Sequence, residues 1–114
     1  MNNNGNDDHW VDACGIDDIE EADVIGFNHQ GDRYAIYRTD DDQYFATDGL
    51  CTHERIPLYN GLVMDDIIEC PKHNGRFNFK TGEAKGAPVC ENLKTYETRV
   101  TDGRVLLKIE PNAG

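Results

Sequence analysis

Short alternating segments separated by turn residues constrain the fold of this chain more than any other feature of its sequence. Residues 24–28 and 33–38 flank Gln30-Gly31-Asp32, which predicts a β-hairpin. Asp102-Gly103 lies between two further alternating segments and predicts a second hairpin. No segment has the periodicity of a long helix. The sequence therefore predicts an all-β fold.

The alternation also predicts which side chains face the core. Along residues 10–14 it places Trp10, Asp12 and Cys14 on one face of a strand, with Val11 and Ala13 on the other. Five residues of the later alternating segments are predicted to be core positions: Tyr34, Ile36, Val105, Leu107 and Ile109.

A length of 114 residues fits one compact domain. Residues 1–8 (MNNNGNDD) contain nothing to bury, so we expect a flexible tail there and a single domain over residues 9–111. Between residues 50 and 88 the strands become shorter, and glycine and proline are frequent. Dense loops on a β scaffold are a usual place for a functional site.

The charge of the chain excludes several classes of partner. It has 22 Asp and Glu against 11 Lys and Arg, a net charge of −11, which argues against binding to nucleic acid or to anionic membrane surfaces. No apolar run exceeds four residues, and residues 1–32 contain no Lys or Arg. We therefore expect no membrane span, no secretion signal and a cytoplasmic location. The acidic runs at residues 17–23 and 40–42 are predicted to be solvated turns.

Two mixed cysteine–histidine pairs are the most informative motif. Cys51 and His53 form a C-x-H pair, and Cys70 and His73 form a C-x-x-H pair, with sixteen residues between His53 and Cys70. Each pair supplies one thiolate and one imidazole to a common centre. Four such ligands suit either a tetrahedral zinc ion or a Rieske [2Fe–2S] centre, in which two histidines replace two cysteines on one iron. Zinc fingers usually pair Cys with Cys and His with His, so the mixed pairs favour the iron–sulfur centre.

The segment CTHERIPLYNGLVMDDIIECPKHNGRFNFKTGEAKGAP, residues 51–88, resembles the cluster-binding region of Rieske-type ferredoxins. These are small electron carriers of bacterial multicomponent oxygenases. The resemblance implies that Cys51 and Cys70 bind the inner iron, while His53 and His73 bind the outer iron. It also implies a Rieske fold of three stacked antiparallel sheets. A small loop-built subdomain, about residues 46–88, would hold the cluster at one tip.

The departures from high-potential Rieske proteins are also informative. Those relatives have two additional loop cysteines, and Ile56 and Lys72 occupy the matching positions here. They also donate hydroxyl hydrogen bonds from a serine and a tyrosine, where this chain has Gly75 and Phe77. Hydrogen bonds to sulfur stabilise the reduced state. We therefore expect a potential near the low end of the Rieske range, which is about −150 to +300 mV.

The resemblance implies a soluble, monomeric one-electron carrier that is not itself an enzyme. It would accept electrons from a flavin-dependent reductase that uses NADH or NADPH, and pass them to a terminal Rieske non-haem iron oxygenase. The chain cannot be that oxygenase, because a mononuclear iron site needs two further histidines and a carboxylate on a large catalytic domain. Only His9 and His29 remain outside the motif. A zinc-binding structural or regulatory module with the same four ligands is the alternative.

The other cysteines and histidines have simpler interpretations. Cys14 and Cys90 are predicted to be buried thiols that act as small apolar residues. His9 and His29 are predicted to lie at the surface. Charge is also distributed unevenly, because residues 54–85 contain five acids and five bases while the remainder carries the whole net charge. A neutral tip of this kind is explained equally well by a solvated surface and by a docking face.

Overall fold

A computed structural model describes residues 9–52, 55–72, 75–85 and 91–110. Ten strands are present there: β1 (Trp10–Gly15), β2 (Asp23–His29), β3 (Asp32–Arg38), β4 (Tyr44–Asp48), β5 (Leu62–Met64), β6 (Ile67–Glu69), β7 (Arg76–Asn78), β8 (Thr95–Tyr96), β9 (Thr98–Thr101) and β10 (Arg104–Lys108). Between β1 and β10 the described residues contain two single 3-10 turns, Ile16–Asp18 and Leu58–Asn60. The all-β prediction is confirmed.

The strands form three antiparallel sheets. One has the order β1-β10-β9, the second has the order β2-β3-β4-β8, and the third is a small sheet with the order β5-β6-β7. The small sheet lies within the segment that is rich in glycine and proline. The predicted arrangement of three antiparallel sheets is therefore confirmed.

Both predicted hairpins are present. At the β2–β3 turn Gln30 and Gly31 have φ values of 51° and 87°, and at the β9–β10 turn Asp102 and Gly103 have values of 53° and 76°. Two successive residues with positive φ match the right-handed twist of the flanking strands, and glycine adopts that conformation without strain. The turn residues therefore fix the register of both hairpins.

The predicted faces of β1 are wrong. Asp12 lies opposite Leu106, whereas Cys14 lies opposite Val105, so the register shifts by one residue between Asp12 and Cys14. A β-bulge of this kind reverses the alternation beyond it. Cys14 is therefore buried while Asp12 is exposed, and Val11 lies opposite the buried Leu107.

The buried side chains form two clusters on the two faces of β3. Tyr34 and Ile36 face one way, and Ala35 and Tyr37 face the other, so the longest apolar run of the chain is buried on both sides. The strand core consists of Cys14, Ile19, Tyr34, Ile36, Ala46, Val105 and Leu107. The loop core consists of Val24, Ala35, Tyr37, Cys51, Leu58, Ile68, Cys70, Phe77, Phe79 and Leu93. Four predicted core residues are in the strand core, and Ile109 packs against it half-buried.

A glycine allows the loop region to approach β2 closely. The Tyr59 ring lies over Gly26, and a β-carbon added at Gly26 would be 2.6 Å from Cδ2 of that ring. No side chain larger than hydrogen fits at this position without displacing the ring. The contact therefore sets how the 3-10 turn Leu58–Asn60 sits on the β2-β3-β4-β8 sheet.

Among the described residues, no helix is long and apolar enough to cross a membrane. The acidic residues of both runs are exposed, as predicted for solvated turns.

Candidate metal centre

The first loop of the candidate site follows β4 and contains Cys51. The Cys51 amide donates a hydrogen bond to the carbonyl of Ile56 at 2.8 Å, and the Arg55 amide donates to the Cys51 carbonyl at 2.7 Å. Leu50 and Pro57 pair across the base of the loop in an isolated β-bridge. The backbone on both sides of Cys51 is therefore held by its own hydrogen bonds.

The second loop connects β6 to β7 and begins at Cys70. The Cys70 amide donates to the carbonyl of Gly75 at 2.7 Å, and Ile68 pairs with Phe77 on the two flanking strands. Cys51 and Cys70 are thus held in the same way, since each amide donates to a carbonyl five residues later. The sequence interval closed by each bond includes one of the predicted histidine ligands.

The two cysteines are buried in the same apolar region. Cys51 is 2% exposed and Cys70 is 1% exposed, and both belong to the loop core. Thiolates are preferred ligands of iron in iron–sulfur clusters and of zinc. Two buried thiols on matched loops fit the sulfur-bound half of a Rieske centre. The apolar side chains around them limit the access of water to such a centre.

Not all of the predicted site residues are described by the structure. His53, His73 and Cys90 lie outside the described residues, so the two histidine ligands and the burial of Cys90 stay predictions. Cys14 is buried, as predicted, but it belongs to the strand core and not to the loop core with Cys51. Burial, with a smaller contribution from Asp18, raises the pKa of the Cys14 thiol to about 11.

His9 and His29 are half-buried and line one surface cavity with a volume of about 740 Å³. Within the part of the chain that the structure describes, no group of three or more His, Cys, Asp or Glu side chains is arranged to hold a metal ion.

The structure adds two features of the first loop that the sequence did not reveal. The Thr52 hydroxyl donates to the backbone carbonyl of Glu91 at 2.9 Å, which connects the loop to the segment before β8. Arg55 adopts a φ of 57°, in the left-handed region that side chains other than glycine rarely occupy. Neither feature has a local sequence signal, because each depends on how distant segments meet.

Comparison with known proteins identifies the family. The family model of the Rieske [2Fe–2S] domain matches residues 9–97, which include both loops. This chain belongs to the Rieske [2Fe–2S] family. The family resolves the choice of metal that the four ligands alone left open, in favour of an iron–sulfur cluster over zinc.

The Rieske relatives include ferredoxins of dioxygenase systems. The chain is 41% identical over 102 residues to the ferredoxin component of the naphthalene 1,2-dioxygenase/salicylate 5-hydroxylase systems of Ralstonia sp, covering 90% of this chain and 97% of the relative. It is 40% identical over 100 residues to the naphthalene 1,2-dioxygenase ferredoxin component of Pseudomonas putida, covering 88% and 95% of the two chains.

A solved Rieske structure has the same fold. It is a chain from the complex of reduced oxygenase and oxidized ferredoxin in carbazole 1,9a-dioxygenase, with a TM-score of 0.84 and 33% identity over 93% of this chain and 98% of that one. Together these similarities show that the chain is a Rieske-type ferredoxin. It is an electron carrier and not itself an enzyme.

Proposed function

We propose that this Rieske ferredoxin carries single electrons from a flavin-dependent reductase, which oxidises NADH or NADPH, to the terminal oxygenase of a ring-hydroxylating system. The pair of buried cysteines on matched loops carries this proposal, because it provides the sulfur half of one redox centre. The named relatives support the pathway, since they are ferredoxin components of such systems. A relative in a complex with its oxygenase supports direct transfer between the two proteins.

We infer the four ligands of the cluster from the motif, and the two loops support this assignment. Cys51 and Cys70 are the thiolate ligands of one iron, and His53 and His73 are the imidazole ligands of the other. The closures at Ile56 and Gly75 support the assignment, because each holds a cysteine amide and spans one of these histidines. Residues 46–88 then form the cluster-binding subdomain of a single domain over residues 9–111, preceded by a tail over residues 1–8.

The chain surrounds the sulfur ligands with apolar groups. A Rieske cluster, when bound, accepts and releases one electron. Leu58, Ile68, Phe77 and Phe79 are fully buried in the core that contains the two cysteines, so they exclude water from this side of the site. Phe77 also has no hydroxyl to donate to a ligand sulfur, and this favours a low potential suited to electron delivery.

The protein functions as a monomer in the cytoplasm. The free thiols of Cys14, Cys51 and Cys70 support this location, because cysteines stay unpaired in a reducing compartment. The compound that is hydroxylated binds to the oxygenase and not to the ferredoxin, because the ferredoxin needs to contact only its two redox partners.

The ligand assignment is tested by histidine substitutions with matched controls. His53→Ala and His73→Ala should each abolish the Rieske electron paramagnetic resonance signal or prevent cluster incorporation. His9→Ala and His29→Ala each remove a half-buried histidine that lies outside the motif, and both should leave the signal unchanged. An unchanged signal in both loop variants would contradict the assignment.

A further inference from the structure

A surface cavity opens beside the first loop. It has a volume of about 460 Å³, which admits protein side chains and not only single water molecules. Cys51 and Thr52 line it from the loop, and Tyr34 and Tyr96 line it from the β2-β3-β4-β8 sheet. The cavity therefore lies directly against the loop that carries one of the proposed cluster ligands.

Three basic residues line this cavity: Arg33, Arg55 and Lys94. All three are exposed, and none forms an ion pair with another described residue. Lys94 lies over the Tyr96 ring, with its Nζ 5.3 Å from the ring centroid. Because Arg33 comes from β3, Arg55 from the loop and Lys94 from the segment before β8, three separate parts of the chain bring positive charge to one place.

The remaining basic residues of the described chain are engaged. Six form ion pairs with carboxylates: Arg38, Arg76, Lys80, Lys85, Arg104 and Lys108. Arg99 lies over the Trp10 ring, and Lys72 also has a contact of its own. Apart from Lys72, four described bases have no ion pair, Arg33, Arg55, Lys94 and Arg99, and three of these four line the cavity.

This concentration is informative because of the charge of the chain. Acidic residues outnumber basic ones two to one, so unpaired acids are expected everywhere and unpaired bases are not. The cavity also contains Asp32, Asp48 and Glu91. The Asp48 carboxylate accepts a hydrogen bond from the Tyr96 hydroxyl at 2.5 Å, which occupies one of its oxygens. The local balance of three acids and three bases contrasts with the strongly negative remainder.

The backbone conformation of Arg55 also supports a functional role for its side chain. Its φ of 57° is strained for any side chain except glycine, and asparagine or aspartate would tolerate it better than arginine. Local preference therefore does not explain an arginine at this position. Strained residues are often found where the side chain has a function, and here that side chain is an exposed guanidinium beside the Cys51 loop.

We propose that the cavity lined by Arg33, Arg55 and Lys94 receives an acidic side chain from the docking face of the terminal oxygenase. The planar guanidinium groups match the two oxygens of a carboxylate, which gives orientation as well as attraction. A partner carboxylate bound there would hold the oxygenase against the Cys51 loop, while the acidic remainder of the ferredoxin would repel it elsewhere. This inference rests on the proposed function, because it assumes that the oxygenase is the electron acceptor.

A pair of triple variants with identical composition tests the proposal. The cavity variant combines Arg33→Gln, Arg55→Gln and Lys94→Gln. The control variant combines Arg99→Gln, Arg104→Gln and Lys108→Gln on β9 and β10, so that both proteins lose two arginines and one lysine. The cluster absorption of both variants should match that of the wild type, which shows that the cluster is intact. The redox potential of each variant is measured as well, so that a change in driving force is separated from a change in docking.

The measured quantity is the second-order rate constant for the reaction of reduced ferredoxin with oxidised oxygenase, in which one electron leaves the ferredoxin and enters the oxygenase. We expect the cavity variant to react about tenfold more slowly than the control variant at low ionic strength, with a smaller difference at high ionic strength. Reduction of the ferredoxin by its reductase should be equally fast in both variants.

Several outcomes would overturn the proposal. Equal rates for the cavity and control variants would exclude the cavity as the docking site. A loss confined to reduction by the reductase would assign the cavity to the other partner. Slowing by Lys72→Gln but not by the cavity variant would place docking over the second loop. Failure of the wild type to reduce the oxygenase would overturn the proposed function itself, and that result is distinguishable because it appears before any variant is compared.

Discussion

The two cores of this ferredoxin share the strand β3 but are built in different ways. Six of the seven buried side chains of the strand core come from β1, β3, β4 and β10, and Ile19 comes from the connection between β1 and β2. The loop core takes Cys51, Leu58 and Leu93 from loops or a 3-10 turn, and its small sheet has strands of only three residues. Regular strands thus support a region in which backbone hydrogen bonds within two loops fix the positions of Cys51 and Cys70.

The two regions also differ in charge. Residues 54–85 contain equal numbers of acids and bases, while the rest of the chain carries the net charge of −11. The exposed acidic runs lie at the beginning of β2 and between β3 and β4, and β4 runs from there towards the Cys51 loop. The eight acids of these two runs are therefore separated along the length of β4 from the Cys51 loop.

The largest difference between the two cores should appear in cluster content when one buried cysteine of each core is replaced by alanine. Cys51→Ala should remove the cluster completely, because a buried thiolate ligand is lost. Cys14→Ala removes an equally buried thiol from the strand core and should retain the full cluster spectrum, with a loss of stability on the order of 1 kcal/mol. Visible absorption and iron content of the two purified variants measure this. A normal cluster in Cys51→Ala would refute the proposed sulfur ligands.

The contact between Gly26 and Tyr59 tests how strongly the two regions depend on each other. Gly26→Ala places a β-carbon 2.6 Å from the Tyr59 ring, and overpacking of this kind typically costs about 1–3 kcal/mol. We expect the unfolding temperature to fall by roughly 5–10 °C, with faster loss of the cluster on heating. The double variant Gly26→Ala with Tyr59→Ala should recover part of the loss, since the clash is removed.

Gly31→Ala provides the control for a purely conformational effect. Gly31 has a φ of 87° and no atom within 4 Å of an added β-carbon, so its replacement strains the backbone without a clash. Its effect should be smaller, about 1 kcal/mol, and should not be reduced by Tyr59→Ala. An equal response of both glycine variants to Tyr59→Ala would contradict the steric explanation for Gly26.

The contrast between the regions also explains how much the sequence could predict. The hairpins at Gly31 and Gly103 and the buried positions of β3 follow from alternation and turn residues, which act locally. The face of Cys14 was predicted wrongly, because the β-bulge before it leaves no mark in the alternation. The motif predicted Cys51 and Cys70 as ligands, and the structure buries both in the loop core. The motif could not reveal the cavity, because Arg33, Arg55 and Lys94 meet only after distant segments pack together.

Alkaline pH should affect the strand core through Cys14. In the folded protein the pKa of this thiol is raised to about 11, whereas a cysteine in an unfolded chain has a pKa of about 8.5. The unfolded state therefore releases its proton first, and the folded state loses stability as pH rises from about 9 to about 11, by at most about 1.4 kcal/mol per pH unit.

The unfolding temperatures of the wild type and of Cys14→Ala, measured from pH 7 to pH 11, isolate this contribution. Burial also raises the pKa of Tyr37, but that effect is common to both proteins and cancels in the comparison. We expect the advantage of the wild type to be constant below about pH 8 and to diminish above pH 9. A difference that stays constant up to pH 11 would contradict the raised pKa of Cys14.

The smallest expected effect concerns the loop core and its potential. Phe77 occupies the position where the high-potential relatives supply a tyrosine hydroxyl, and it is fully buried in the core that contains Cys51 and Cys70. Phe77→Tyr adds one oxygen to a ring of nearly the same shape. If the new hydroxyl donates to the sulfur of Cys51, the bond strengthens on reduction, when the sulfur is more negative. A difference of about 1 kcal/mol between the two redox states corresponds to roughly +40 mV.

Burial makes this experiment decisive, because the added hydroxyl cannot turn to solvent. A hydroxyl that bonds to sulfur should raise the potential and leave the unfolding temperature almost unchanged. A buried hydroxyl without a partner should leave the potential unchanged and lower the stability by about 1–3 kcal/mol. Protein-film voltammetry and thermal unfolding of Phe77→Tyr and the wild type at one pH distinguish the two results. Lower stability without a shift in potential would show that the ring of residue 77 is directed away from the ligand sulfur.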